Sequence, residues 1–183
     1  FTANKCLEGM PGLAFVVART DAVADGRGRA GSWSLDLCDI YDHAQRDGWG
    51  SFRFTPPAQV LAAFRMALQL HAAEGGQPAR LARYRANADT VFQGMQRIGL
   101  RPYLHARVQG PIVLNVHAPD DARWSLQAFV DALKSRGFLI SNFYNTETPS
   151  FRVGCIGAVT PADMTRFVAA VASALKDLGI RPE

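Results

Sequence analysis

The sequence predicts an α/β protein that ends in a small α+β layer, and three patterns predict it. Leu81, Tyr84, Ala88, Val91, Met95 and Ile98 recur at alternating steps of three and four, which draws one apolar stripe along a helix. Ile112, Leu114 and Val116 alternate with Val113, Asn115 and His117, and Phe151, Val153 and Cys155 alternate with Arg152, Gly154 and Ile156. That is the period of half-buried strands. Met164, Phe167, Val168, Val171, Leu175 and Leu178 then return to the helical period. Strands interleaved with helices in this way suggest packed layers rather than a bundle or a barrel.

Taken in order, residues 12–19 (GLAFVVAR) form a short run rich in Val and Phe, expected to be a buried strand. Residues 25–31 carry three glycines and read as a turn or loop. Residues 34–47 are mixed, either helix or loop. Thr55-Pro56-Pro57 precedes Val60, Leu61, Phe64 and Leu68 at helical spacing, so Thr55 is expected to cap a helix with Pro56 in its first position. Glu74-Gly75-Gly76 ends that helix, and the next runs from about Pro78 until Gly99 stops it. From about residue 103 strand and helix alternate: a strand at 112–117, an amphipathic helix at 124–135 closed by Gly137, and a short strand at 138–140. A polar loop follows at 142–149, then a strand at 151–156. Thr160-Pro161-Ala162-Asp163 resembles a capping box with Asp in place of Glu, and the last helix ends at Gly179.

Composition excludes several function classes. Hydrophobic residues make up 48% of the 183 and charged residues 20%, a globular profile. No apolar run approaches the roughly 18–20 residues that span a bilayer. The net charge is +4, with only three lysines among 20 basic side chains, and acidic residues are interspersed. Arg80, Arg83 and Arg85 read as a solvated helix face rather than a nucleic-acid stripe. Cys6, Cys38 and Cys155 have no C-x-x-C spacing, and His43, His71, His105 and His117 have no metal-ligand spacing. Neither zinc nor a disulfide framework is expected, and a cytoplasmic location fits best. The first residues lack both an initiator Met and the pattern of a signal peptide, so the chain is expected to begin within a longer protein.

Three residues could carry chemistry. Lys5 could form an imine with a carbonyl cofactor and then move a proton, provided its surroundings disfavour the ammonium form. On its sequence alone the plainer reading is an ordinary surface lysine near a terminus. Arg152 could offer a planar fork to a carboxylate or phosphonate, because it faces away from Phe151, Val153 and Cys155. The plainer reading is a solvated arginine on an edge strand. Thr55 is an ordinary helix start, although a helix N-terminus also favours an anion.

Local sequence sharpens these readings. Thr2-Ala3-Asn4-Lys5-Cys6-Leu7-Glu8-Gly9-Met10-Pro11-Gly12 resembles the segment around the Schiff-base lysine of class V, fold-type I aminotransferases dependent on pyridoxal 5'-phosphate (PLP), of the 2-aminoethylphosphonate–pyruvate type. Ser51-Phe52-Arg53-Phe54-Thr55-Pro56-Pro57 resembles that family's phosphate-contacting loop, and residues 150–157 (SFRVGCIG) its substrate-carboxylate strand. The resemblance runs from Phe1 to about Leu178. It implies that Lys5 carries the cofactor and that Arg152 holds a substrate carboxylate. It further implies that Thr55 reaches the cofactor phosphate of the neighbouring subunit of a homodimer. Gly9 and Gly12 are expected to let the backbone pass close to the cofactor. By the same resemblance, residues 1–55 are the end of a large cofactor-binding domain, 56–102 are bridging helices and 103–183 are a small C-terminal α+β domain.

The implied reaction takes an amino group from 2-aminoethylphosphonate to pyruvate. An alanine–glyoxylate or serine–pyruvate aminotransferase is the alternative within the fold, and a non-catalytic fragment or dimerisation module the alternative outside it. Two departures bear on this. Family members commonly carry a Tyr-Pro-Gly-Lys-like stretch where this chain has Ser141-Asn142-Phe143-Tyr144-Asn145. The family's first half, which supplies the acidic partner of the pyridine nitrogen, the stacking aromatic and most phosphate ligands, has no counterpart here. The isolated chain is therefore expected to show weak activity or none.

Overall fold

A computed structural model describes residues 1–46 and 50–181. They form two compact units, Phe1–Gln69 and Leu70–Glu183. The first unit contains α1 (Thr20–Asp25), a 3₁₀ turn (Trp33–Leu35), α2 (Leu37–Arg46) and the start of α3 (Ala58–Glu74). The second contains α4 (Gly76–Arg97), β1 (Val113–His117), α5 (Leu126–Lys134), β2 (Ser150–Gly154) and α6 (Pro161–Asp177). The mixed stretch at 34–47 is thus helical from Leu37 to Arg46, with Asp47 outside the described residues.

Two expectations about the first unit change. Residues 12–19 are not a buried strand: Thr2 pairs with Ala14 in an isolated bridge, and Val17 is 91% exposed. A strand needs ladder partners and a covered face. Among the described residues only the first few of the chain pair with it. Thr55 is not the cap of α3 either, because the first helical bond runs from the Leu61 N–H to the Pro57 carbonyl, which puts Pro57 in the cap position. A residue ahead of proline is driven out of the helical region, which accounts for Pro56 lying outside α3.

The second unit is built on a two-stranded antiparallel sheet that pairs Leu114 with Val153, Asn115 with Arg152 and Val116 with Phe151. Pro102 bridges Val116 on the other edge of β1. The inward faces carry Leu114, Val116, Phe151 and Val153. They are buried with Val91 and Met95 of α4, Phe129 and Leu133 of α5, and Phe167, Val171 and Leu175 of α6. The alternation read from sequence is therefore the burial pattern. Thr160 caps α6 through the expected box: its hydroxyl oxygen accepts from the Asp163 N–H, and the Asp163 carboxylate accepts from the Thr160 N–H at 2.8 Å. Such a cap contributes about 1 kcal/mol.

The third expected strand, 138–140, does not join the sheet. The Phe138 N–H bonds the Leu133 carbonyl and the Gly137 N–H bonds that of Lys134, which closes α5 in a Schellman turn with Gly137 at φ 83°. Phe138 and Ile140 still pack on the core, so alternation survives there without a ladder.

Arg80 and Arg83 are not a solvated face. Glu74, the last residue of α3, accepts from Arg80 Nε at 2.5 Å and from Arg83 Nε at 2.7 Å. Arg83 Nη1 also donates to the carbonyls of Gly157 (2.6 Å) and Val159 (3.0 Å). Asn87 Nδ2, fully buried, donates to those of Cys155 and Val159, both at 3.1 Å. The turn after β2 thus has its carbonyls held by one face of α4. Polar groups this deep must be paired, and here the pairing joins two elements about 70 residues apart in sequence.

Two outcomes follow for the second unit. The bond from Arg83, opposed by partial burial and joined by Arg80, holds the Glu74 carboxyl down to about 2. A depressed carboxyl adds stability that is complete above its ordinary value of 4.5 and lost as pH falls towards 2. Urea midpoints taken across that window should fall less steeply for Glu74→Gln than for the wild type. Separately, a methyl group added at Gly94 would lie 2.5 Å from Val168 Cγ2 and 3.0 Å from its Cγ1, and a β-branched side chain cannot turn aside. Despite the better helix propensity of alanine, Gly94→Ala should lose about 1–2 kcal/mol in chemical denaturation, and Val168→Ala added to it should recover part of that.

Candidate active site

Lys5 stands exposed on a tight loop closed by backbone hydrogen bonds. The Glu8 N–H donates to the Lys5 carbonyl at 3.0 Å and the Gly9 N–H to the Ala3 carbonyl at 2.9 Å. Glu8 takes φ 56°, unusual for a residue with a side chain, as the chain doubles back. Ala3, fully buried, is anchored by its N–H to the Leu13 carbonyl. Behind the loop Phe1 stacks on Phe15 with ring centres 4.8 Å apart, and Phe15 meets Phe64 of α3 at 5.1 Å. The result is a lysine displayed on a backbone that is itself pinned.

Gly9 and Gly12 serve this pinning. A Cβ at Gly9 would sit 3.1 Å from the Ala3 carbonyl oxygen and 3.2 Å from Phe64 Cδ2, and Gly12, at φ 128°, lies against Val60. Their smallness lets the loop approach α3.

Thr55 is exposed, at the end of a segment anchored two residues earlier. Arg53 Nε pairs with Asp39 at 2.6 Å, and Nη1 donates to the Trp33 carbonyl at 2.7 Å. Its guanidinium carbon lies 4.3 Å from the centre of the Trp33 ring and 4.9 Å from that of Phe54. The Arg53 side chain is only 7% exposed, and its buried Nη2 has no hydrogen-bond partner among the described residues. Sequence reasoning passed over Arg53. The signal available was its place between two phenylalanines, which suits a guanidinium that stacks.

Arg152 lies on β2 opposite Asn115, half-buried, on the face away from the core. Its Nε donates to Ser141 Oγ at 3.3 Å, and its guanidinium carbon sits 4.1 Å from the centre of the Phe143 ring. Among the described residues no carboxylate pairs with it. Other polar groups nearby lack this freedom. Burial pushes the Cys155 thiol up to about 11, which leaves it inert as a nucleophile at neutral pH. Burial, and after it Arg101, lower His117 below its ordinary range; the ring stacks on Tyr103 and its Nδ1 lies 3.3 Å from the Thr148 hydroxyl. Lys5 and Thr55 thus belong to the first unit and Arg152 to the second.

Arg53→Lys keeps the charge but loses the fork and the stacked plane. It should raise amide exchange across residues 51–55 by about tenfold, measured by mass spectrometry, while α4 and α6 exchange as before.

No protein-family model matches the chain. It is 46% identical over 178 residues to the 2-aminoethylphosphonate–pyruvate transaminase of Burkholderia ambifaria, which covers 97% of this chain and 47% of that protein. It is 44% identical over 178 residues to the enzyme of the same name from Pseudomonas putida, 97% of this chain and 48% of that protein. The chain therefore spans about half the length of these relatives, their C-terminal half. Among solved structures, the pyridoxamine–pyruvate aminotransferase of Mesorhizobium loti superposes with a TM-score of 0.81 at 24% identity, over 96% of this chain and 45% of that one. The alanine–glyoxylate aminotransferase of Nostoc sp. superposes with a TM-score of 0.80 at 20% identity, over 95% and 46%. At such identities the structures speak for the fold alone, and the fold agrees with the sequence. The chain belongs to the class V, fold-type I PLP-dependent aminotransferases, as the portion that matches the C-terminal half of 2-aminoethylphosphonate–pyruvate transaminases.

Proposed function

We propose that this chain is the C-terminal portion of a transaminase that moves the amino group of 2-aminoethylphosphonate to pyruvate, giving phosphonoacetaldehyde and alanine. The observation that carries the reading is the 46% identity, sustained over 97% of the chain, to a relative of that name. The residues present fit PLP. Lys5 offers an exposed primary amine on a pinned loop, and Thr55 an exposed hydroxyl at the end of an anchored segment. The cofactor, when bound, supplies an electron sink for the bond that breaks at the substrate carbon.

Within this reading Lys5 holds the cofactor, and its Nζ takes up and returns the proton at the substrate's reacting carbon. The pinned loop keeps that nitrogen in place while the proton moves. Arg152 binds the carboxylate of pyruvate or alanine through charge-assisted N–H bonds. Thr55 donates its hydroxyl to the cofactor phosphate of the neighbouring subunit, so the enzyme is read as a homodimer. Three cysteines without a C-x-x-C spacing suit a reducing cytoplasm, and no helix among the described residues is long and apolar enough to cross a membrane. Residues 1–55 are proposed as the end of the large domain, 56–102 as the bridge and 103–183 as the small domain. Val16 and Val17, exposed on an unpaired edge, then mark the surface that the rest of the large domain covers.

A second reading, an alanine–glyoxylate or serine–pyruvate aminotransferase, draws on one observation: the 141–145 stretch departs from the family pattern. A donor screen separates the two. In a full-length enzyme carrying this portion, 2-aminoethylphosphonate with pyruvate should exceed alanine or serine with glyoxylate by roughly a hundredfold or more in kcat/KM, because a site built around a charged group rejects donors that lack it. Preference for alanine or serine would overturn the phosphonate assignment and leave the fold untouched.

A further inference from the structure

We infer that Phe143 and Ser141 are positioning residues that turn Arg152 into an end-on fork for a flat carboxylate. The inference rests on the proposed role of Arg152 and goes beyond it to say which edge of the guanidinium is used and what holds it there. A guanidinium can grip two oxygens side-on, through Nε and one terminal nitrogen, or end-on, through both terminal nitrogens. Here Ser141 Oγ occupies Nε at 3.3 Å, which closes the side-on mode. The Phe143 ring, 4.1 Å from the guanidinium carbon, covers one face of the plane. What remains is the outer edge, where among the described residues neither terminal nitrogen has a hydrogen-bond or ion-pair partner. Two parallel N–H donors in one plane match the two oxygens of a 2-oxo acid's carboxylate.

The clamp is itself held. Asn142, between the two clamp residues, donates from Nδ2 to Gln127 Oε1 at 3.2 Å, and Gln127 Nε2 donates to both Asp131 carboxylate oxygens at 3.1 Å. Gln127 and Asp131 lie one turn apart on α5, so a helix fixes the loop that carries Phe143. Phe143 is 53% exposed, an aromatic left in solvent within a polar loop, and its contact with Arg152 gives it a use there. Both clamp residues fall in the stretch where the sequence departs from the Tyr-Pro-Gly-Lys-like pattern of its family.

The test is steady-state kinetics on the full-length PLP-loaded enzyme, with pyruvate varied. Phe143→Ala should raise the KM for pyruvate about two- to fivefold, the range of an exposed cation–π contact, and move kcat less than KM. Phe143→Tyr should restore the wild-type KM, and Phe143→Leu should not. Arg152→Lys is the control and should raise that KM roughly tenfold or more. If Arg152→Lys leaves KM unchanged, the carboxylate role of Arg152 falls, and this inference with it. If Arg152→Lys raises KM but Phe143→Ala does not, only the inference falls. A readout independent of turnover is the Arg152 Nε–Hε resonance in the 183-residue chain. Ring-current displacement that vanishes in Phe143→Leu supports the clamp, and identical shifts in the two proteins overturn it.

Discussion

The second unit depends on how closely α4 and α6 approach. At Gly94 there is no side chain, and the space where a methyl group would stand is taken by Val168. That contact brings the buried faces of both helices, Val91 and Met95 on one and Val171 and Leu175 on the other, into a single core under the sheet. Once the helices are set, Asn87 and Arg83 reach the carbonyls of residues 155–159 from fixed positions on α4. The turn after β2 is thereby fixed, and β2 with it. Arg152 sits on the outer face of that strand, so its placement descends from a helix contact it never touches.

The first unit carries one exposed lysine on a loop closed by its own backbone hydrogen bonds. Short backbone bonds within residues 1–15, the buried Ala3 and the stacked Phe1, Phe15 and Phe64 make the loop a fixed mount. A reactive amine needs reach in its side chain and rigidity beneath it. Arg53 does the same for the segment ending at Thr55, through Asp39, Trp33 and Phe54.

Where the sequence was legible, local chemistry and long-range packing agreed. Leu114, Val116, Phe151 and Val153 alternate in sequence and in burial, and the Thr160–Asp163 box is a purely local device. The run at 12–19 misled because Val and Phe announce a strand whatever its neighbours, and among the described residues it gains only the isolated bridge of Thr2 to Ala14. The stretch 138–140 misled because Phe138 spends its N–H on the end of α5, a choice made by Gly137. Arg80 and Arg83 looked solvated because Glu74 and the 155–159 carbonyls come near them only once the chain has folded. Lys5, Thr55 and Arg152 came from motif resemblance, since no spacing marks a lone lysine or arginine as functional. Arg53, Ser141 and Phe143 escaped because they act on other residues rather than on a substrate.

The central claim is that Lys5 is the residue that binds the cofactor, and it can be tested in a full-length enzyme carrying this portion. The purified protein would be incubated with pyridoxal phosphate, reduced with borohydride, digested and mapped, with Lys134 and Lys176 as internal references. The account predicts selective modification at Lys5, because its loop alone is built to present an amine. Equal labelling of the three lysines, or labelling that spares Lys5, would contradict it.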